Sequence, residues 1–116
     1  MMQAINERTG LVAVGSVEVA SSMWSRFWGL MGRRALAENC ALLIDPCSSI
    51  HTFMMRFPID VVFLDKENSV TKVAECIRPY RVAFGPRCKR VLEMPCGAAA
   101  GSGITVGDSI RFQAAE

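Results

Sequence analysis

The sequence predicts a mainly β domain of the α+β kind: a small sandwich or barrel-like fold of about seven short strands, with one packed helix and one short helical turn. Three observations lead there. Short runs rich in β-branched and aromatic residues, such as Val61-Val-Phe-Leu64, recur between clusters of Gly, Pro and small polar residues. Two of those runs are separated by the polar pentad Asp65-Lys-Glu-Asn-Ser69, which reads as a β-hairpin with a loop of about five residues. Only one stretch, Met23 to Met31, carries apolar residues at sustained helical spacing, so helices are too few to join a parallel α/β sheet.

Met1 to Thr9 is a short strand or a frayed end, and Gly10 to Ala20 is a strand broken or bulged at Gly15. Ser21-Ser22 offers a helix N-cap. Met23, Phe27, Leu30 and Met31 then share a helical face, Trp24 and Trp28 form an adjoining pair, and Gly32 ends the helix near Arg33. Arg33 to Asn39 is a polar link, Cys40 to Ile44 a short buried strand, and Asp45 to Ser49 a turn. Ile50 to Met55 reads as a strand that Pro58 interrupts, because proline donates nothing to a ladder. After the hairpin, Arg78 to Pro86 reads as a loop anchored by Tyr80 and Phe84. Cys88 to Met94 is a strand, and Gly97 to Gly103 is one helical turn with a glycine stop. That segment lacks the Gly-Lys-Ser/Thr ending of a phosphate loop. Val106-Gly-Asp-Ser109 is a tight turn into the last strand, Ile110 to Gln113, with Gly107 in a backbone angle that other residues avoid and Asp108 closing the turn.

The central stretch, His51 to Asp65, holds the polar residues of most interest. His51 is the one histidine, and Asp60 lies between Ile59 and Val61, where a carboxylate is costly to bury without partners. Two readings stand side by side. His51, Asp60 and Thr52, walled by Phe53, Met54 and Met55, build a polar site able to orient a ligand or move a proton. Alternatively, Asp60 ties down the corner after Pro58 through backbone N–H groups. Arg26 on the helix is a fork for a carboxylate or a solvated charge. Glu93, beside Val91 and Leu92, is a second candidate carboxylate. The expectation is that Arg26, His51, Asp60 and Glu93 surround one depression.

A chain of 116 residues with 51% hydrophobic content fits one domain spanning 1–116 with a sizeable core. A net charge of +2 is too small to argue for nucleic acid. The region Lys72 to Arg90 is locally basic, with Lys72, Arg78, Arg81, Arg87, Lys89 and Arg90 against Glu75; it reads as a surface for anions or nucleic acid or, in the reading preferred because stacking aromatics are few, as a solvated strand edge. Neither a secretory leader nor a bilayer-length apolar run is evident, so the chain as written is expected to be soluble and cytoplasmic, with no membrane association. The five cysteines, 40, 47, 76, 88 and 96, are odd in number and contain no Cys-x-x-Cys pair. They read as free thiols, with no metal site and no cofactor.

His-Thr-Phe-Met-Met-Arg-Phe-Pro-Ile-Asp-Val-Val-Phe-Leu-Asp65 resembles the signature of the family called domain of unknown function 192. Two more segments agree: Arg26-Phe-Trp-Gly-Leu-Met31, and Val91-Leu-Glu-Met-Pro-Cys-Gly97 followed by Val106-Gly-Asp108. The resemblance covers most of the chain and implies a mainly β fold and no established activity. Many members resemble exported proteins with a leading signal segment, and the sequence as written departs from them there.

Three function classes follow. The first is a domain that binds a small molecule or a protein partner through Arg26, His51, Thr52, Met54, Asp60 and Glu93. The second is a hydrolase-like enzyme using His51 with Asp60 or Glu93, although no nucleophile elbow or cysteine signature marks it. The third and weakest is a metal-binding protein using His51 with Cys47, Met54 and Met55 as soft ligands.

Overall fold

The computed structural model describes residues 2–20, 38–47, 49–51 and 57–114, and for Ala20 and residues 49–51 the backbone alone. The expected helix at 23–31, with Arg26, and the residues Thr52, Phe53, Met54 and Met55 lie outside the described residues.

The described strands are β1 (Met2–Asn6), β2 (Leu11–Ala20), β3 (Cys40–Ile44), β4 (Ser49–His51), β5 (Ile59–Leu64), β6 (Val70–Ile77), β7 (Val82–Phe84), β8 (Arg90–Pro95) and β9 (Ile110–Ala114). Among the described residues one short helix, α1, spans Ala98–Gly101. Seven strands form one sheet in the order β6-β5-β8-β3-β2-β1-β9, and β4 pairs with β7 in a separate ribbon. All pairs are antiparallel except β2 with β3.

The sheet curls into a half-barrel because its two edge strands are tied together at one end. Ser69 and Ser109 form an isolated bridge. Val70 N–H donates to the Asp108 carbonyl at 2.8 Å, Gly107 N–H to the Val70 carbonyl at 2.9 Å and Ile110 N–H to the Asn68 carbonyl at 2.9 Å. These bonds satisfy backbone groups that an open edge would leave available to other chains. Curling gives the sheet an inner face to which all seven strands contribute. Ala4, Val14, Val17, Leu43, Val62, Leu64, Val70, Leu92, Met94 and Ile110 meet there, with Ala99 and Ile104 closing it.

The outer face carries a second cluster over the β3-β8-β5 region: Leu42, Ile44, Ile59, Val61, Phe63 and Val91, with Cys47 and Cys88. Strand β5 is therefore buried at every residue. This explains its unbroken apolar run, since a strand covered on both faces has no use for alternation. Burial of each such side chain contributes about 1.5–3 kcal/mol.

The hairpin turn forms where the sequence places it. Asp65 Oδ1 accepts the N–H groups of Glu67 and Ser69, both at 2.9 Å. The Ser69 bond holds the Asp65 carboxyl below its usual range against the opposing effect of burial, aided by the Glu67 bond and the charges of Arg87 and Arg90. Gly107 has φ +96°, as expected for its turn. Two expectations need correction. The segment 78–86 is not only a loop, because Val82–Phe84 pairs with β4. Nor do its aromatics anchor it by burial: Tyr80 is 67% exposed and Phe84 69%. The segment is held by smaller parts, with Ala83 packed on the outer core and Gly85 against the Phe63 ring. A Cβ at Gly85 would stand 2.7–3.0 Å from Phe63 side-chain atoms.

The barrel end is closed by a buried carboxylate. Asp108 is 4% exposed. Its oxygens accept from Arg8 Nε at 2.6 Å, Asn6 Nδ2 at 2.8 Å and Thr105 N at 2.8 Å. Arg8 also donates to the Gly103 carbonyl at 2.7 Å. Asp108 closes its own turn, as the sequence suggests, and it also fastens β1 to the last turn of the chain. The Arg8 hydrogen bond holds the Asp108 carboxyl far below its usual range; burial opposes this, and the Thr105 and Asn6 bonds reinforce it.

A depressed folded-state pKa contributes stability that is fully present above the unfolded value of about 3.9 and is lost as pH falls toward the folded value. Chemical denaturation of Asp108→Asn is expected to show a loss of about 2 kcal/mol at neutral pH. The gap to the parent should narrow below about pH 4. A constant gap down to pH 2 would remove Asp108 as the source. Gly85→Ala is expected to lower stability by about 1–3 kcal/mol through overpacking against Phe63, read as a shift of the urea midpoint at unchanged slope.

Candidate functional site

Asp60 is the one acidic residue of β5 and is completely buried. The register of β5 against β8 pairs Ile59 with Pro95, Asp60 with Met94 and Val61 with Glu93, without interruption. Side chains alternate along such a ladder. Asp60 therefore points to the inner face with Val62 and Leu64, where α1 packs. Glu93 points to the outer face, between Val61 and Leu42 of the neighbouring strands. The two carboxylates are not brought together; the sheet separates them.

The Asp60 carboxylate is held by backbone from two directions. Its Oδ1 accepts Cys76 N–H at 2.7 Å and its Oδ2 accepts Ala99 N–H at 2.9 Å. The first bond depends on a bulge. Between the pairs Ile59↔Ile77 and Val61↔Ala74, β6 advances one residue more than β5. Cys76 in this bulge takes φ +46°, and its N–H reaches the carboxylate. The second bond replaces a missing cap. Gly97 precedes α1 with φ +90° and has no side chain to offer, so Asp60 satisfies an amide of the first turn from another strand. Of the two sequence readings of Asp60, this geometry matches the tie-down through backbone N–H groups, although the amides come from distant elements.

His51 is the last residue of β4, paired with Val82. The β4–β7 ribbon lies on the outer face, where Ala83 and Gly85 meet the core and Lys72 Nζ donates to the Phe84 carbonyl at 2.9 Å. The same ammonium sits 5.6 Å from the Phe63 ring centroid and 5.9 Å from that of Phe84. The backbone of His51 thus shares the face of Glu93, and Asp60 faces the other way. Arg26, Thr52 and Met54 lie outside the described residues.

The cysteine expectation is overturned in part. Cys76 and Cys96 form a disulfide, their Cα atoms 4.7 Å apart. Cys40, Cys47 and Cys88 form no disulfide, and the last two are buried. Burial raises the pKa of the Cys88 thiol, partly offset by a backbone hydrogen bond from Leu64 and reinforced by Cys47. Its sulfur donates to the Cys47 carbonyl at 3.2 Å. Cys47, offered with His51, Met54 and Met55 as a soft ligand, sits in the outer core beside Cys88. Among the described residues, one group has ligand atoms close enough for a metal: Asp60, Cys76 and Cys96, all within 4.8 Å of one another. With the sulfurs joined in a disulfide they are not thiolates, so the group as it stands is no metal centre. No spacing rule in the sequence marks the pair. Strands β6 and β8 flank β5 on opposite sides, and only that topology brings Cys76 and Cys96 together over its start.

The model of the DUF192 family, described as an uncharacterised ACR, matches residues 4–112. The chain belongs to this family. A UPF0127 protein of Pyrococcus abyssi is 32% identical over 114 residues, covering 93% of this chain and 95% of that one. One from Thermococcus sibiricus is 34% identical over 122 residues, covering 97% and 75%. A crystal structure of a Novosphingobium aromaticivorans protein of unknown function has a TM-score of 0.76 at 26% identity, covering 95% of this chain and 82% of that one. A Sinorhizobium meliloti protein described as a candidate transcription regulator has a TM-score of 0.77 at 23% identity, covering 96% and 91%; that likeness concerns the fold alone. The mainly β fold is thus common to the DUF192 chain and its neighbours, and the function of the family is not established. Among the described residues no helix is long and apolar enough to cross a membrane.

Asp60→Ala is expected to lower stability by about 2–4 kcal/mol, because it leaves two amides without their acceptor. Hydrogen exchange should quicken at Ala99 and Cys76 ahead of the β5 amides. Unchanged protection at both amides would show that the carboxylate does not hold them.

Proposed function

We propose that this DUF192 protein is a partner-binding domain whose recognition face is the β4–β7 ribbon, and that the occupant is an acidic, apolar segment of another protein. One observation carries the reading. Val82 and Phe84 on β7, and Tyr80 in the bend just before it, are 60%, 69% and 67% exposed and stand among exposed Arg78, Arg81 and Arg87. Aromatic residues and arginine are the types enriched at interface centres. The local excess of positive charge selects an acidic partner and speeds its approach. Among the described residues β7 pairs with β4 alone, which leaves a strand edge for an extended segment. The support for a broadly polar pocket is weaker, since the Asp60 carboxylate is buried and already bonded to two amides.

The test uses extended peptides that alternate Asp or Glu with Leu, Ile or Val, against controls with Lys at the acidic positions. The acidic set is expected to raise the melting temperature, with binding that weakens as salt rises. The double substitution Val82→Ser, Phe84→Ser should reduce affinity at least tenfold, about 1.4 kcal/mol, while the fold survives. Equal binding by acidic and basic peptides, or by parent and double variant, would refute the proposal.

A further inference from the structure

We infer that Cys76 and Cys96 form a thiol–disulfide exchange centre served by Asp60, with an external thiol as its reaction partner. This stands apart from the ribbon and does not depend on it.

Four features support it. Both cysteines are exposed, whereas, of the three outside the disulfide, Cys47 and Cys88 are buried and Cys40 is half-buried. Exchange requires that an attacking thiolate reach a sulfur, so access separates the two groups. Next, a completely buried carboxylate lies within 4.8 Å of both sulfurs. Each of its oxygens accepts one backbone N–H bond and retains capacity for another. Third, Cys76 holds φ +46°, a region that L side chains avoid at a cost of order 1 kcal/mol. The bulge in β6 imposes that conformation, and the Asp60 hydrogen bond to Cys76 N–H stabilises it. Last, the sulfurs lie on short exposed stretches outside the two apolar clusters, so opening the bond does not require the cores to part.

The reaction balances as follows. An external thiolate attacks one sulfur of the pair, a new external S–S bond forms, and the Cys76–Cys96 bond breaks. Its electron pair leaves with the second sulfur. A second external thiol then attacks the mixed disulfide, releasing the external disulfide and the first cysteine. The net change is two external thiols oxidised to one disulfide, with two electrons and two protons passed to the cysteine pair. The departing sulfur gains its negative charge beside the Asp60 carboxylate, and like charges that close in a buried setting are disfavoured. The proton must therefore arrive with the electron pair. Once the S–S bond opens and the sulfurs can rotate, Asp60 is the group placed to take the proton that the external thiol releases as it becomes the attacking thiolate and to hand it to the departing sulfur, directly or through one water. In the reverse direction it accepts the proton that turns the attacking thiol into a thiolate.

The experiment equilibrates the full chain with glutathione at graded ratios of reduced to oxidised form, then alkylates it and reads each cysteine by mass. Cys76 and Cys96 are expected to exchange reversibly and together in chain that remains folded by thermal unfolding, with Cys47 and Cys88 unlabelled. Cys96→Ser should carry a single glutathione on Cys76. Asp60→Asn is expected to slow exchange roughly tenfold or more and to change the pH profile of its rate. Should Asp60→Asn fail to fold, Asp60→Glu replaces it: moving the carboxylate by one methylene shifts the profile if the proton passes through it. A pair that stays oxidised until the chain unfolds overturns the exchange centre. Reversible exchange with a pH profile unaltered by the Asp60 variant overturns the part assigned to Asp60.

Discussion

Strand β5 is buried along its whole length and on both faces, and the rest of the molecule can be understood as the cover it requires. Neither face can be left to water, because Ile59, Val61 and Phe63 point one way and Val62 and Leu64 the other. The inner face is covered by curling the sheet until β6 and β9 meet. Part of the outer face is covered by the β4–β7 ribbon, which approaches so closely that only glycine fits at position 85. The single carboxylate of the strand is the exception that such burial permits only with partners, and both partners are backbone amides.

The sequence carried the local features well and the long-range ones poorly. The polar pentad 65–69 between two β-rich runs defined the hairpin, because turn chemistry is encoded in consecutive residues. The same holds for Gly107 and for the short turn at 97–103. The relation of Asp60 to Glu93 was different. Each residue sits in a recognisable strand, but whether they share a face depends on the register of β5 against β8, and a shift of one residue would have joined them. No local pattern reports that register. The Arg8–Asp108 pair, separated by 100 residues, and the Cys76–Cys96 pair, separated by 20, were hidden for the same reason. Tyr80 and Phe84 misled in another way. Aromatic residues in a loop usually anchor it by burial, yet here Ala83 and Gly85 make the close contacts and the aromatics face outward.

The buried aspartates Asp108 and Asp60 stand at different ends of the half-barrel. At one end Asp108 gathers Asn6, Arg8 and Thr105 and makes the seam between the first and last strands. A guanidinium is the largest stabilising influence on that carboxylate. Near the start of β5, Asp60 gathers two backbone amides and, among the described residues, no cation. The first arrangement is electrostatically closed and fits a purely structural role. The second neutralises its carboxylate only through dipoles, which leaves more of the charge available to whatever lies beside it.

What lies beside it is fixed by one extra residue in β6. Without the bulge, Cys76 N–H would point into the ladder toward β5 or away from it, and no amide would be free for the Asp60 side chain. The insertion turns that N–H onto the carboxylate and forces Cys76 into a left-handed backbone angle. It also carries the Cys76 sulfur over the start of β5, where the chain leaving β8 brings Cys96 within bonding distance. The buried acid, the strained residue and the exposed disulfide are therefore one construction. A regular ladder at this point of β6 would place neither the Cys76 amide on the carboxylate nor its sulfur beside Cys96.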